Sequence, residues 1–418
     1  MLDRIKQAMS NHKVLIQNFS YLSALQVFNM LLPLITYPYL IRVLGADLYG
    51  LVIFANVTAT YFSILIDFGL NLTATKEISI HKTNKKKLNE IISSVLMLKF
   101  GLWLISLSIL FCLLWLIPSL SNHKLLYLFS FTICFNELLF PRWYFQGIER
   151  MKYITIINLI SRIIFLILIF VVVKDQTKYL FVPLLNGIGA FIGGLIGIFV
   201  MLAKDKNKLV VPGWQSIAKL FKASLPLFGS NAIISVKDKF NVIFIGMFLG
   251  MKEVAIYDLA VKIMTLFIQP IDILNTTIYP KVAKDKNMAF MLKFTKLSFL
   301  FVIGAVLFVQ PFLQPIINFL GKGLSEAITP TRIFLIAPLI MVWSIALGRN
   351  CLIVSGENRV FLIGMLLTTL FYLLLIFLAY IFNITGFVMV YIIISILTYL
   401  FELLYRVYFT RKLKLCSN

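Results

Sequence analysis

Six basic residues of the apolar stretches of this chain are not accounted for as loop or loop-edge charges: Lys99, Arg162, Lys237, Lys239, Lys262 and Arg332. A charge at the centre of a membrane helix costs about 2.5–3.5 kcal/mol unless it is paired or hydrated, so these positions are where chemistry is expected. Val236-Lys237-Asp238-Lys239-Phe240 puts three charges about 20 Å along a helix that starts near Lys222. Asn231, Ser235 and Asp238 follow at i, i+4 and i+7, which makes one polar stripe. Lys239 neighbours Ser235 and is the lysine expected in a cleft; Lys237, about 200° around the helix, must pair, snorkel or sit on a helix break. Thr155, Asn158, Ser161 and Arg162 share one face of another apolar helix. A guanidinium there needs water or an anion, and its planar fork suits phosphate. Asp258 and Lys262 stand at i, i+4 in the orientation that favours pairing, as a structural or a gated ion pair. Glu137, beside Asn136, reads as the only glutamate near mid-depth, able to exchange protons if desolvated or to satisfy a cation such as Arg162. The expected substrate-binding residues are Arg162, Lys239, Lys237, Lys262, Asn158 and Asn231; the expected coupling residues are Glu137, Asp258 and Asp238. Lys99 and Arg332 lie within a few turns of a surface and are expected to snorkel, while Asp67 and Asp272 are expected to be structural.

The elements that must carry these residues are apolar spans at 14–38, 47–70, 91–117, 124–146, 154–173, 179–202, 223–248, 254–277, 294–316, 329–351, 360–381 and 387–409. Each can cross roughly 30 Å of hydrocarbon as a helix. Gaps on one side hold only Arg42, Lys124, Lys174, Lys178, Lys252 and Lys322. Most of the other basic residues, among them Lys82, Lys85, Lys86, Lys87, Arg142, Arg150, Arg349 and Arg406, are read as loop or loop-edge charges on the opposite side. The positive-inside rule then places both termini in the cytoplasm. With 60% hydrophobic and 13% charged residues, the chain is an all-α polytopic membrane protein of about 12 transmembrane helices. Its net charge of +22 faces anionic lipid headgroups rather than nucleic acid. Cys112, Cys134, Cys351 and Cys416 have no metal or disulfide spacing, and no nucleotide fingerprint is present, so neither cofactor nor metal is expected.

Residues 203–222 form the longest cytoplasmic connection, and Trp214, Ile217, Leu220 and Phe221 predict an interfacial amphipathic helix within it. It separates a first lobe, 1–202, from a second, 223–418. The lobes are related by a shift of 205 residues: Leu44-Gly45 falls on Leu249-Gly250, Asp67 on Asp272 and Lys76 on Lys281. Both begin on the same membrane side, so the repeat is parallel, the arrangement of an alternating-access transporter. In the sixth span Gly189, Gly193 and Gly197 lie on one stripe, which predicts close helix packing. Loops on the outer side are short, with no room for the acceptor-holding domain of an external polymerase or ligase.

Val43-Leu-Gly-Ala-Asp-Leu-Tyr-Gly50, Asp67-Phe-Gly-Leu70 with Ala74-Thr-Lys-Glu77, and Trp143-Tyr-Phe-Gln-Gly147 resemble the signatures of a known family; so does Ser224-Leu-Pro226 followed by Asp238, Gly246, Leu249-Gly250, Tyr257 and Ala260. These residues look like those of the polysaccharide-transporter branch of the multidrug/oligosaccharidyl-lipid/polysaccharide exporter superfamily, and most of all the Wzx-type O-antigen repeat-unit flippases. The resemblance covers essentially the whole chain. It implies a MATE-like pair of six-helix lobes in the bacterial inner membrane. Its cargo would be an undecaprenyl-diphosphate-linked glycan, and a polysaccharide polymerase and a chain-length regulator would be partners. A cation antiporter of the same superfamily is the alternative, but the first span carries Gln26 and Asn29 and no acid. A lipid II flippase would need two further helices, and a membrane polymerase or ligase would need external loops or an acidic donor motif.

Overall fold

The structure, a computed structural model, describes residues 2–285 and 287–413; side chains are not described for 2–19, 22, 119, 234, 236, 238, 277, 280, 281 and 283–285. The side chains of Arg4, Lys6, Lys13, Lys281 and Lys284, and all of Lys286, Lys414 and Cys416, therefore lie outside the described residues. Every regular element is helical: α1 (Leu2–Asp67), α2 (Leu70–His81), α3 (Lys85–Leu116), α4 (Pro118–Ser121), α5 (Lys124–Phe131), α6 (Phe135–Leu139), α7 (Arg142–Gly147), α8 (Met151–Val172) and α9 (Phe181–Phe199). There follow α10 (Trp214–Phe248), α11 (Met251–Asp285), α12 (Met288–Val309), α13 (Leu313–Leu320), α14 (Ile328–Phe334), α15 (Ala337–Ile345), α16 (Asn358–Ile381) and α17 (Val388–Lys412). Among the described residues 11 spans are long and apolar enough to cross a membrane. The seventh expected span lies in α10, where Lys237, Asp238 and Lys239 dilute the apolar run and leave Lys239–Phe248 as its apolar end.

Breaks fall where the backbone chemistry requires them. α1 kinks at Gly45, whose φ of 79° only glycine adopts without strain. The fourth span is interrupted at Phe140-Pro141: Phe140 is extended, as a residue before proline prefers, and Pro141 has no N–H to continue the ladder.

The helices form two compact units. The first comprises residues 2–29 and 55–232, the second 30–54 and 233–413. In the first unit Ile92, Val95, Trp143, Phe145, Ile154 and Met201 are buried in one cluster. Gly189 and Gly193 bring α9 against Ser161 of α8, and Gly197 lies against Pro141, so the glycine stripe is a packing seam. Residues 214–222 run without a break into the rest of α10. Ile217 and Leu220 are buried, Phe221 stacks on Phe68 at 4.6 Å, and Trp214 is 77% exposed.

In the second unit the buried Asn241 ties four elements of the chain together. Its Nδ2 donates to Tyr257 Oη and Ser395 Oγ, each at 2.8 Å, and its Oδ1 accepts from Tyr372 Oη at 2.6 Å. Gly50 packs on the Met251 carbonyl, a backbone atom that cannot swing away. Gly50→Ala should therefore destabilise the protein by about 1–3 kcal/mol, read as a lower unfolding temperature in detergent.

Candidate substrate and coupling sites

The most connected buried charge is Lys99, and it does not snorkel. Its side chain is 0% exposed on α3. Its Nζ lies 3.8 Å from Asp67 Oδ1 and 3.7 Å from Glu137 Oε2, and donates to Asn71 Oδ1 at 3.3 Å. A fourth contact, 3.0 Å to the Glu137 carbonyl, follows from the break in the fourth span. That carbonyl would accept from residue 141 in a continuous helix, but residue 141 is proline, and the ammonium takes the place of the missing donor. Asn71 holds both acids, its N–H donating to Asp67 Oδ1 at 3.2 Å and its Nδ2 to Glu137 Oε2 at 3.1 Å. The cation that meets Glu137 is thus Lys99, not Arg162. Two carboxyl groups thus share one ammonium.

Its counterpart in the second unit sits one repeat on. Shifted by 205 residues, Asp67 and Asn71 become Asp272 and Thr276. Arg349 Nη1 donates to Asp272 Oδ1 at 2.9 Å and to Thr276 Oγ1 at 3.0 Å. The acid is repeated, but its cation comes from a different place: α3 in the first unit, a π-helical turn (Ala346–Ile353) in the second.

Glu402 escaped the sequence reading. It accepts from Lys237 Nζ at 2.9 Å and from Arg406 Nη2 at 2.5 Å. Arg406, assigned above to a cytoplasmic gap, is 8% exposed. Its Nη1 donates to the Ser344 carbonyl at 2.5 Å and to Ser344 Oγ at 2.9 Å, and the guanidinium fits against the bare face of Gly348. The signal was available, since Glu402 and Arg406 stand at i, i+4 inside an apolar run. Lys237 also lies 5.6 Å from the Tyr399 ring centre.

The remaining expected residues behave differently from one another. Lys262 pairs with Asp258 and donates to Tyr49 Oη at 2.9 Å. Asn158 Nδ2 is turned to its own helix, donating to the Ile154 carbonyl at 2.8 Å. Asn231 is half-buried on α10, the Asp238 side chain lies outside the described residues, and Arg332 is exposed. Arg162 and Lys239 have no acidic partner within salt-bridge distance among the described residues. Lys239 is exposed and Arg162 half-buried. Arg162 belongs to the first unit, and Lys237, Lys239 and Lys262 to the second. Among the described residues no three His, Cys, Asp or Glu side chains gather as metal ligands would.

A chain of long apolar helices in two units, with cations held inside them, has the fold of a MATE-type membrane transporter. An inward-facing multidrug resistance MATE family transporter of the MOP superfamily superposes with a TM-score of 0.72 over 93% of this chain and 96% of its own, at 16% identity. Residues 15–286 match the model of the family "Polysaccharide biosynthesis protein", and the chain belongs to that family. The "Putative O-antigen transporter" of Escherichia coli (strain K12) is 27% identical over 274 residues, 66% of either chain. The protein of the same description from Shigella dysenteriae is 26% identical over 355 residues, 82% of this chain and 88% of its own. The resemblance drawn from the sequence motifs therefore holds. The protein is a multi-pass bacterial membrane protein of that family, with the fold of the MATE transporters.

Proposed function

We propose that this chain flips an undecaprenyl-diphosphate-linked oligosaccharide from the cytoplasmic to the periplasmic leaflet by alternating access, supplying repeat units for O-antigen or capsule. The observation that carries the reading is that two cations on apolar helices, Arg162 on α8 and Lys239 on α10, have no acidic partner within salt-bridge distance among the described residues. A diphosphate cannot cross hydrocarbon unaided, and charge-assisted hydrogen bonds from such groups offset the hydration it loses. The polyprenyl tail needs no site, because it can stay in lipid. The test is reconstitution: liposomes holding the purified chain should move a fluorescent undecaprenyl-diphosphate glycan between leaflets at least tenfold faster than empty ones. Equal rates, or rapid movement of a cationic drug instead, would remove the reading in favour of an antiporter.

We infer further that the Lys99 group couples transport to a proton or a monovalent cation. Its second carboxyl group supports this, whereas Asp258 is matched one to one by Lys262. Glu137→Gln and Asp67→Asn should each slow transport about tenfold and abolish its response to an ion gradient. Transport indifferent to an uncoupler, to sodium and to both substitutions would leave a downhill carrier.

A further inference from the structure

Residues 30–54 lie in the first half of the chain, yet they pack as part of the second unit. The polar contacts that hold them there converge on α11. Tyr49 Oη donates to Asp258 Oδ2 at 2.8 Å and accepts from Lys262 Nζ at 2.9 Å. Lys262 pairs directly with Asp258. The rings of Tyr37 and Tyr49, edge to face with centres 5.0 Å apart, lie 5.2 and 5.6 Å from the same ammonium. Farther on, Arg42 Nη2 donates to the Phe319 carbonyl at 2.8 Å, and Phe54 packs against the bare face of Gly246.

Apolar contact alone discriminates little in a bilayer, because lipid tails offer a helix nearly the same surroundings as another helix. The Asp258–Lys262 pair lies within α11, and the phenol hydrogen bonds and cation–π contacts that Tyr49 and Tyr37 make to it are what distinguish this docking from its alternatives. The segment is also poorly braced along its own axis. Pro33 and Pro38 remove two donors from the helical ladder, and the backbone breaks again at Gly45. At both ends the chain passes into the first unit within helix, so any change of partner must be taken up at those weakened turns.

We propose that Tyr49, Asp258 and Lys262 form a latch that holds residues 30–54 on the second unit in this conformation and opens during the transport cycle. The proposal rests on the alternating-access reading and gives Asp258 and Lys262 a mechanical role in place of contact with cargo.

The test uses the full chain in lipid nanodiscs, with Cys112 and Cys416 changed to serine and spin labels attached through Asp47→Cys and Ser325→Cys. Electron spin distance measurements without cargo should give one dominant separation for the parent protein. Tyr49→Phe, Asp258→Asn and Lys262→Met should each add a second, longer population of at least a fifth of the molecules. Unchanged distributions in all three would overturn the latch. Tyr49→Phe keeps the ring and so guards against a folding defect. Independently, a disulfide between Phe54→Cys and Gly246→Cys should stop transport at least tenfold and reduction should restore it. Undiminished transport by the cross-linked protein would also overturn the proposal. Failure of the parent protein to move lipid-linked glycan would strike the functional reading alone, since the distances are measured without cargo.

Discussion

Lys99→Met should abolish the accumulation of folded protein in the membrane. The ammonium is the common partner of Asp67, Glu137, Asn71 and the Glu137 carbonyl, and nothing else among the described residues stands in its place. Without it two carboxylates face each other beside a carbonyl that Pro141 cannot satisfy. Breaking a buried ion pair by removing one partner costs about 3–5 kcal/mol, and here two acids lose their cation at once. Size-exclusion profiles and membrane abundance measure the effect. The triple variant Lys99→Met, Asp67→Asn, Glu137→Gln should recover much of the loss, because neutral groups can share hydrogen bonds without a counter-charge. A Lys99→Met protein with wild-type abundance and unfolding temperature would show the group to be unimportant for folding.

Arg162→Ala should give the opposite result: normal abundance with surface polysaccharide reduced at least tenfold. Among the described residues its guanidinium has no acid within salt-bridge distance, so its removal abandons no carboxylate there. What would disappear is the proposed grip on an anion. A hydrogen bond to a charged group is worth about 1.5–3 kcal/mol, or roughly 10- to 150-fold in affinity. Lys239→Ala should behave in the same way, and lipid-linked repeat units should build up on the cytoplasmic leaflet in both. Wild-type export from both variants would discard the cationic grip. The two experiments separate charges expected to assemble the protein from charges proposed to meet its cargo.

How far this division could be read from the sequence depended on distance along the chain. Spans were legible because a bilayer imposes a minimum apolar length, and the eleven found among the described residues each overlap one read from the sequence, although the first runs Ser23–Leu44 rather than 14–38 and the second Ala46–His81 rather than 47–70. The seventh was the hard one, because Lys237, Asp238 and Lys239 interrupt it. Ion pairs within one helix were legible too: Asp258 and Lys262 stand one turn apart. Lys99 was not, since its partners come from α1, α2 and α6 and depend on how those helices are rotated, which periodicity in α3 does not encode. Arg406 was misplaced for a related reason. A basic residue near the end of a span resembles a topology signal until its carboxylate and its acceptor carbonyl are found on neighbouring turns and helices. The break at Pro141 was written in the sequence, but its consequence, a carbonyl awaiting a donor, became visible only with Lys99 beside it.

The order in which these partners are made has its own consequence. Synthesis runs from the amino end, and domains fold as they emerge. Asp67 precedes Lys99 by one helix, so the pair can enter the bilayer as a hairpin, with Glu137 close behind. Lys237 precedes Glu402 by 165 residues. The first half of the chain can thus complete its ionic contacts while the ribosome is still working, whereas the second must wait for α17. During biogenesis the exposed species is therefore a nascent chain whose Lys99 group is complete while residues 30–54 await α11 and Lys237 awaits α17, and membrane proteases and insertion chaperones would meet it at α10.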